Sequence, residues 1–240
     1  MLRHNGKVST PEHAPSTSIR VVTFPGTHWD HLGKMAVIWE MYPSTRRSPP
    51  GKSGYAFRTE IRGTGFWGSE LDCLEPVSVA AAEANGFPTG YLTDCILGGD
   101  LPFQFEIDGR PVTGTVTFRI DLTSLARPAA FDPKNLRLST AVTGETVEVL
   151  DDWFETGIAK LEAALPDRVR LRCCLNCLYS DYWPGGHGIM GMNCHRGAKA
   201  QYLAVTSKRE YLTVPVTEHV PETHVCPEYT RRIKSTGYPG

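Results

Sequence analysis

No stretch of the 240-residue chain approaches the roughly 20 apolar residues that a membrane-crossing helix requires. The opening residues, Met1-Leu2-Arg3-His4-Asn5, lack the apolar segment of a secretory signal, so a cytoplasmic protein without membrane association is expected. A large excess of one charge is also missing. The formal net charge is −1, which argues against a chain built as a whole to hold a polyanion. There is no H-E-x-x-H pair, no phosphate-binding loop and no nucleophile motif, so no reaction class can be named. Internal repeats and low-complexity tracts are absent too, which excludes a solenoid or a linker-like chain.

What is present is ordinary globular material, 40% hydrophobic and 21% charged. The chain is long for one compact domain and short for two, and it can bury a core without a disulfide or a metal. Its charge is uneven. Residues 1–166 carry 15 Lys and Arg against 20 Asp and Glu, while residues 167–240 carry 10 against 6. Two regions with different tasks, or two faces that attract one another, would both give this split.

Residues 1–18 are polar and interrupted by proline, and read as a poorly ordered arm. Strands are expected at Ile19–Phe24, Lys34–Tyr42, Tyr55–Ile61, Tyr91–Leu97 and Leu136–Val142, with a loop over Pro43–Ser53. Residues 76–85 suit a short helix stopped by Gly86. Leu101–Ile107 and Val112–Ile120 both alternate and flank Asp108-Gly109, a pair suited to a type I′ turn, so a β-hairpin is expected there. Leu150, Trp153, Phe154, Ile158, Leu161 and Leu165 form one stripe, which predicts a long helix over 149–165 ended by Pro166. Arg168–Arg172 comes next as a short strand. The expectation is an α+β protein: a β-rich region at 19–166, sandwich-like or an open barrel, closed by that helix. A cysteine-rich module occupies 167–240.

The chemistry concentrates in that last region. Cys174-Leu175-Asn176-Cys177 is a C-x-x-C pair that can aim two sulfurs at one point. Cys194 comes 17 residues after Cys177, beyond a loop with glycines at 185, 186, 188 and 191, and Cys226 comes 32 residues later. Together Cys174, Cys177, Cys194 and Cys226 suit a tetrahedral zinc site, which in a reducing compartment is favoured over disulfides. Two lone ligands after one C-x-x-C pair are a weaker signature than two such pairs. An iron–sulfur cluster also takes four cysteines, and a redox dithiol can use C-x-x-C, so both stay open. His187 or His195 could replace one cysteine. Cys173 is left out because neighbouring residues seldom point the same way. Cys73 and Cys95 read as small apolar residues of the β region. Arg170, Arg172, Arg196 and Arg231 lie near the cysteines in sequence and could stabilise the −2 charge of four thiolates on Zn²⁺.

The stretch from Cys174 to Arg196, CLNCLYSDYWPGGHGIMGMNCHR, resembles a family of uncharacterised bacterial proteins. These share C-x-x-C-x-x-S-D-Y, a Gly-rich loop and G-x-x-C-x-R. The block ETHVCPEY at 222–229 and the ending TGYPG are similar to the same family. The resemblance covers the last third well and the β-rich part only vaguely. It implies that the four cysteines belong together, and it implies no substrate. Trp183 departs from it, since a small residue is expected there.

Three functions are compatible with these features. One is a binding or accessory protein with a protein or small-molecule partner, in which closed zinc completes the fold and activates no water. Another is an enzyme using the loop 179–195, where Tyr179, Ser180, Asp181, Tyr182, His187 and His195 could serve acid–base work and Asp181 could orient a histidine. The blander reading of these residues is a turn and packed tyrosines. A nucleic-acid-binding zinc module is disfavoured by the mild charge and scattered arginines.

Overall fold

The computed structural model describes residues 20–44, 54–87, 91–123, 136–182, 189 and 191–233. The arm expected at 1–18 and most of the loop expected at 43–53 lie outside these. Nine strands lie along one antiparallel path: β1 Val22–Asp30, β2 Gly33–Ser44, β3 Gly54–Ile61, β4 Thr64–Gly68, β5 Glu75–Pro76, β6 Ile96–Ile107, β7 Arg110–Asp121, β8 Leu136–Thr140 and β9 Val147–Asp151. Their spatial order is β5-β4-β3-β2-β1-β6-β7-β8-β9, and β10, Val169–Arg172, pairs with β6 as a tenth strand. The four described α-helices are short: α1 Val79–Ala84, α2 Phe154–Ala164, α3 Lys199–Leu203 and α4 Lys208–Tyr211. The fold is therefore mostly antiparallel β with short helices, of α+β type. The main strands form one continuous sheet rather than the two of a sandwich. Among the described residues, no helix is long and apolar enough to cross a membrane.

The β6–β7 hairpin is the spine. Asp108 and Gly109 have φ of +51° and +76°, as a type I′ turn demands. That turn sets a register running unbroken from Ile107↔Arg110 to Ile96↔Asp121. Period two then places Leu101, Phe103, Phe105, Val116 and Phe118 on the buried face, with Asp100, Thr117 and Arg119 turned outward. The inner face joins Phe24, Trp39, Met41, Phe57 and Leu138 to Phe154, Ile158 and Leu161 of α2 in one core. Fully burying each large apolar side chain contributes about 1.5–3 kcal/mol. Trp39 reaches across β1, its indole N–H donating to the Gly98 carbonyl at 2.9 Å. Gly26 makes that possible, because a Cβ there would lie 2.5 Å from the same carbonyl oxygen and inside the indole.

Several elements differ from expectation. The first strand extends to Asp30, through Pro25-Gly26, which look like breakers. β6 pairs with β1 only from Gly26 onward, so on that flank Pro25 interrupts no ladder. The strand expected at Tyr91–Leu97 begins only at Ile96, because Asp94 at φ +54° turns the chain. The helix expected over 149–165 starts at Phe154. Leu150 counted toward its stripe, yet it is exposed on β9, which pairs with β8. Asp151 ends that strand and steers the helix: its Oδ1 accepts from Asp152 N–H (2.7 Å), Trp153 N–H (2.9 Å) and the Thr156 hydroxyl (2.5 Å).

The C-terminal segment meets the main sheet at a break in the pairing of β6. This strand pairs with β1 over Ile96–Gly99 and with β10 over Gln104–Ile107, and neither pairing includes residues 100–103. Pro102 falls in that gap. Pro221, Thr223, His224 and Val225 line a groove there, together with Pro102, Phe103 and Arg20.

Candidate functional site

β10 leaves the sheet at Arg172, and Cys174–Asn176 form one 3₁₀ turn. The Cys177 N–H donates to the Cys174 carbonyl at 3.2 Å, which closes C-x-x-C into a compact loop. Asn176 anchors it. Its Oδ1 accepts from the Cys173 N–H (3.2 Å) and the Tyr229 hydroxyl (2.9 Å), and its Nδ2 donates to the Leu171 carbonyl (2.8 Å). Cys173 belongs to the main core, whereas Cys174 joins a second cluster with Tyr182, Met192, Cys194 and Val220. The two adjacent cysteines thus pack into different clusters.

Backbone pairings gather the segments that carry the other cysteines. The segment around Cys226 lies beside the turn: Cys174 N–H donates to the His224 carbonyl (2.6 Å), Leu178 N–H to the Thr230 carbonyl (2.7 Å), and Cys177 bridges Arg231. A three-stranded sheet of β11 Ser180–Asp181, β12 Met192–Cys194 and β13 Glu218–Val220 sets Cys194 opposite Ser180 and Glu218. Cys174, Cys177 and Cys194 are buried and Cys226 is half-buried. Cys177, Cys194, Cys173 and Cys226 all lie close enough for charge on them to act on Cys174. Burial first, and then those like charges, push the Cys174 thiol far above its ordinary value. Among the described residues, no group of three or more His, Cys, Asp or Glu side chains is arranged to hold a metal ion as they stand.

Of the four arginines near the cysteines in sequence, Arg196 donates to a sulfur. Its Nη1 lies 3.4 Å from Cys194 Sγ and its Nη2 donates to Glu218 Oε2 at 2.6 Å. Arg20 Nε donates to the other Glu218 oxygen at 3.0 Å, and Arg20 Nη1 lies 2.9 Å from His224 Nδ1. Burial alone would raise the Glu218 carboxyl, but the Arg196 bond and the Arg20 charge hold it below its ordinary range. Burial and then Arg20 lower His224 to about 4, so it stays neutral. Elsewhere, Arg231 pairs with Glu162 (2.8 Å), Arg172 lies 5.2 Å over the Tyr229 ring, and Arg170 donates to its neighbour's carbonyl.

His195 packs against Tyr202 and Tyr211. Its Nδ1 lies 3.0 Å from the Pro215 carbonyl and its Nε2 3.3 Å from the Tyr211 hydroxyl, and its ring stacks on Tyr202. Burial lowers its basicity, and the Pro215 contact fixes the neutral tautomer with the proton on Nδ1. Both ring nitrogens are thus engaged, Nδ1 by the Pro215 carbonyl and Nε2 by the Tyr211 hydroxyl, so as it stands His195 does not replace a cysteine. Nor does Asp181 orient it. Asp181 accepts from the Tyr202 hydroxyl (3.0 Å) and the Tyr182 N–H (2.9 Å) and lies 3.6 Å from Arg232, and burial raises its carboxyl to about 6. His187, Trp183 and the glycines at 185, 186 and 188 lie outside the described residues. Cys95 is buried in the main core, which pushes its thiol up to about 12, while Cys73 is half-buried.

A family of unknown function, DUF6304, has a model that matches residues 22–180. The match takes in the main sheet, α2 and the C-x-x-C turn, and it ends before Cys194 and Cys226. The expected family of unknown function is thus shown on the β-rich part and the first two cysteines, and the match does not extend to the rest of the C-terminal motif. No curated protein and no solved structure matches the chain.

Proposed function

The chain belongs to DUF6304, a family of unknown function, and we propose that it is a binding or accessory protein whose C-terminal region is fastened by zinc on Cys174, Cys177, Cys194 and Cys226. The observation that supports this reading is that backbone pairings bring together the segments bearing the four cysteines, which are spread over more than fifty residues. Apart from Cys174 and Cys194 themselves, the apolar cluster at the site holds three buried side chains, Tyr182, Met192 and Val220. Each contributes about 1.5–3 kcal/mol, while ordering each residue costs about 1–2 kcal/mol, so a core this small needs a staple. Zinc on four thiolates supplies about 10–16 kcal/mol of binding energy that becomes folding energy. Among the described residues no three of these side chains are arranged to hold an ion as they stand, so the reading requires the site to rearrange on binding. A closed site has no open position for water, so its role is structural.

The test is the metal content of the purified full chain and of single variants. About one zinc per chain is expected. Cys174→Ser, Cys177→Ser, Cys194→Ser and Cys226→Ser should each lower it, while Cys73→Ser and Cys95→Ser should leave it in place. A brown, iron-containing protein would replace zinc with an iron–sulfur cluster. Metal-free wild-type protein that folds normally would sink the reading.

A further inference from the structure

We infer that the outer face of the main sheet holds a neutral saccharide in a pocket built around Gly98, a site independent of the cysteines. None of its lining residues lies in the C-terminal segment. The pocket has a volume of about 340 Å³ over β1, β6 and β7, within the range of cavities that hold small molecules. Gly98 stands opposite Thr27 on one side and Arg119 on the other. A side chain at 98 would fill the space between them, because its Cβ would lie 2.8 Å from Thr27 Oγ1. The backbone there is not left-handed, so this glycine leaves space rather than making a turn. On the flanking rows Trp29 stands opposite Ile96, and Asp100 opposite Thr117.

The side chains around this space supply what a sugar ring requires. Trp29, 48% exposed, offers an aromatic surface for the C–H face of the ring. The Arg119 guanidinium lies 5.9 Å from the Trp29 ring centroid, at the outer limit of a cation–π contact, which orients the indole and leaves it open. Asp100 offers an acceptor. The Thr117 hydroxyl donates to its Oδ1 at 2.7 Å, and among the described residues no donor engages its Oδ2. Arg119 and Lys34 offer donors. A sugar hydroxyl both donates and accepts, so it needs partners of both kinds. Charge narrows the choice. Lys34 and Arg119 face Asp100 and Asp121, the latter two positions beyond Arg119 on β7 and within reach of its charge, so cations and carboxylates balance. A phosphate or nucleotide would bring its charge up to Asp100, and an organic cation would meet Arg119 and Lys34. A wholly apolar ligand would strip water from these groups without replacing its hydrogen bonds. A neutral ring with one apolar face and a rim of hydroxyls avoids all three penalties. Trp29, Lys34, Asp100, Thr117 and Arg119 are exposed, so one unit of a longer chain can enter from the open side of the sheet.

The experiment is affinity electrophoresis of the full chain through gels containing hydroxyethyl cellulose, xylan, glucomannan, dextran or starch, with polygalacturonate and polyuridylate as charged polymers. Wild type is compared with Trp29→Ala, Trp29→Phe, Asp100→Asn and, on the same face but outside the pocket, Val77→Ser. All three positions are exposed, so the variants should keep the wild-type urea midpoint, which is measured alongside. At least one neutral polysaccharide should retard wild type. Trp29→Ala should weaken that binding roughly ten-fold or more, since it removes the stacking surface. Asp100→Asn should weaken it roughly ten-fold, since a charged acceptor is lost. Trp29→Phe should keep most of the binding and Val77→Ser all of it. Treatment with a strong chelator should leave retardation unchanged, because the pocket lies wholly on the main sheet; zinc content decides the four-cysteine reading separately. A wild type that no neutral polysaccharide retards overturns the site, as does retardation that survives both Trp29→Ala and Asp100→Asn. Retardation by polygalacturonate or polyuridylate alone, lost at high salt, gives the pocket to an anion and overturns it too.

Discussion

Asp151 joins β9 to α2, and replacing it with asparagine isolates the worth of its charge. The Asp151 side chain is 5% exposed, and its second oxygen lies 2.7 Å from Lys160 Nζ. Burial would raise this carboxyl, but the Lys160 bond, the Thr156 hydroxyl and two backbone N–H groups hold it at about 2 against an ordinary 3.8. A carboxyl lowered by that much contributes about 2 kcal/mol to stability, of which the exposed end of Lys160 screens a part. The folded-state value is depressed, so the contribution is present above pH 3.8 and is lost as the pH falls toward 2. Asp151→Asn keeps an acceptor for the backbone N–H groups and loses the charge. Its urea-unfolding free energy should lie about 2 kcal/mol below wild type at pH 7, and the two should converge as pH falls from about 4 to 2. A gap that stays constant from pH 7 to pH 2 would refute the assignment of the stability to the ionised carboxylate.

Two further substitutions probe the sheet. Gly26→Ala should cost about 3 kcal/mol in denaturant unfolding, because the added methyl enters the Trp39 indole, which is fully buried; an unchanged midpoint would show that the indole can shift freely. His28 is buried and its basicity is lowered, chiefly by burial, with Asp30 opposing and Arg62 assisting. A depressed histidine favours unfolding as pH falls below its unfolded value of 6.5, so His28→Phe should gain stability relative to wild type between pH 7 and pH 5. A difference that does not vary with pH would remove His28 from the acid response.

How much of the fold was legible in the sequence depended on the length and period of each element. Leu101–Ile107 and Val112–Ile120 alternate over enough residues to fix both the hairpin and its buried face, and Asp108-Gly109 names the turn. Arg62-Gly63 makes the same left-handed pair, with φ of +50° and +74°, between β3 and β4. It escaped notice because arginine is not a turn-favouring residue. The stripe from Leu150 misled because a strand of five residues runs directly into a helix, and helical spacing fits a few strand positions by chance. The cysteines were visible as residue types. What gathers them was not, since β11 spans two residues and β12 and β13 three each, too short for any period to show. Arg196 was one of four arginines near the cysteines. Its bond to Glu218 was not visible, because the pairing of β12 with β13 is what brings that carboxylate alongside.

Hydrogen exchange on the full chain, with and without a strong metal chelator, tests the zinc fastening most directly. Chelation should strip protection from the turn at Cys174–Asn176, from β11, β12 and β13, and from the amides of Leu178 and Arg232 that pair the C-terminal segment with it. The β6–β7 hairpin and α2 should keep theirs, because their apolar faces are complete in the main core. An exchange pattern identical in both conditions, over the whole chain, would contradict the account.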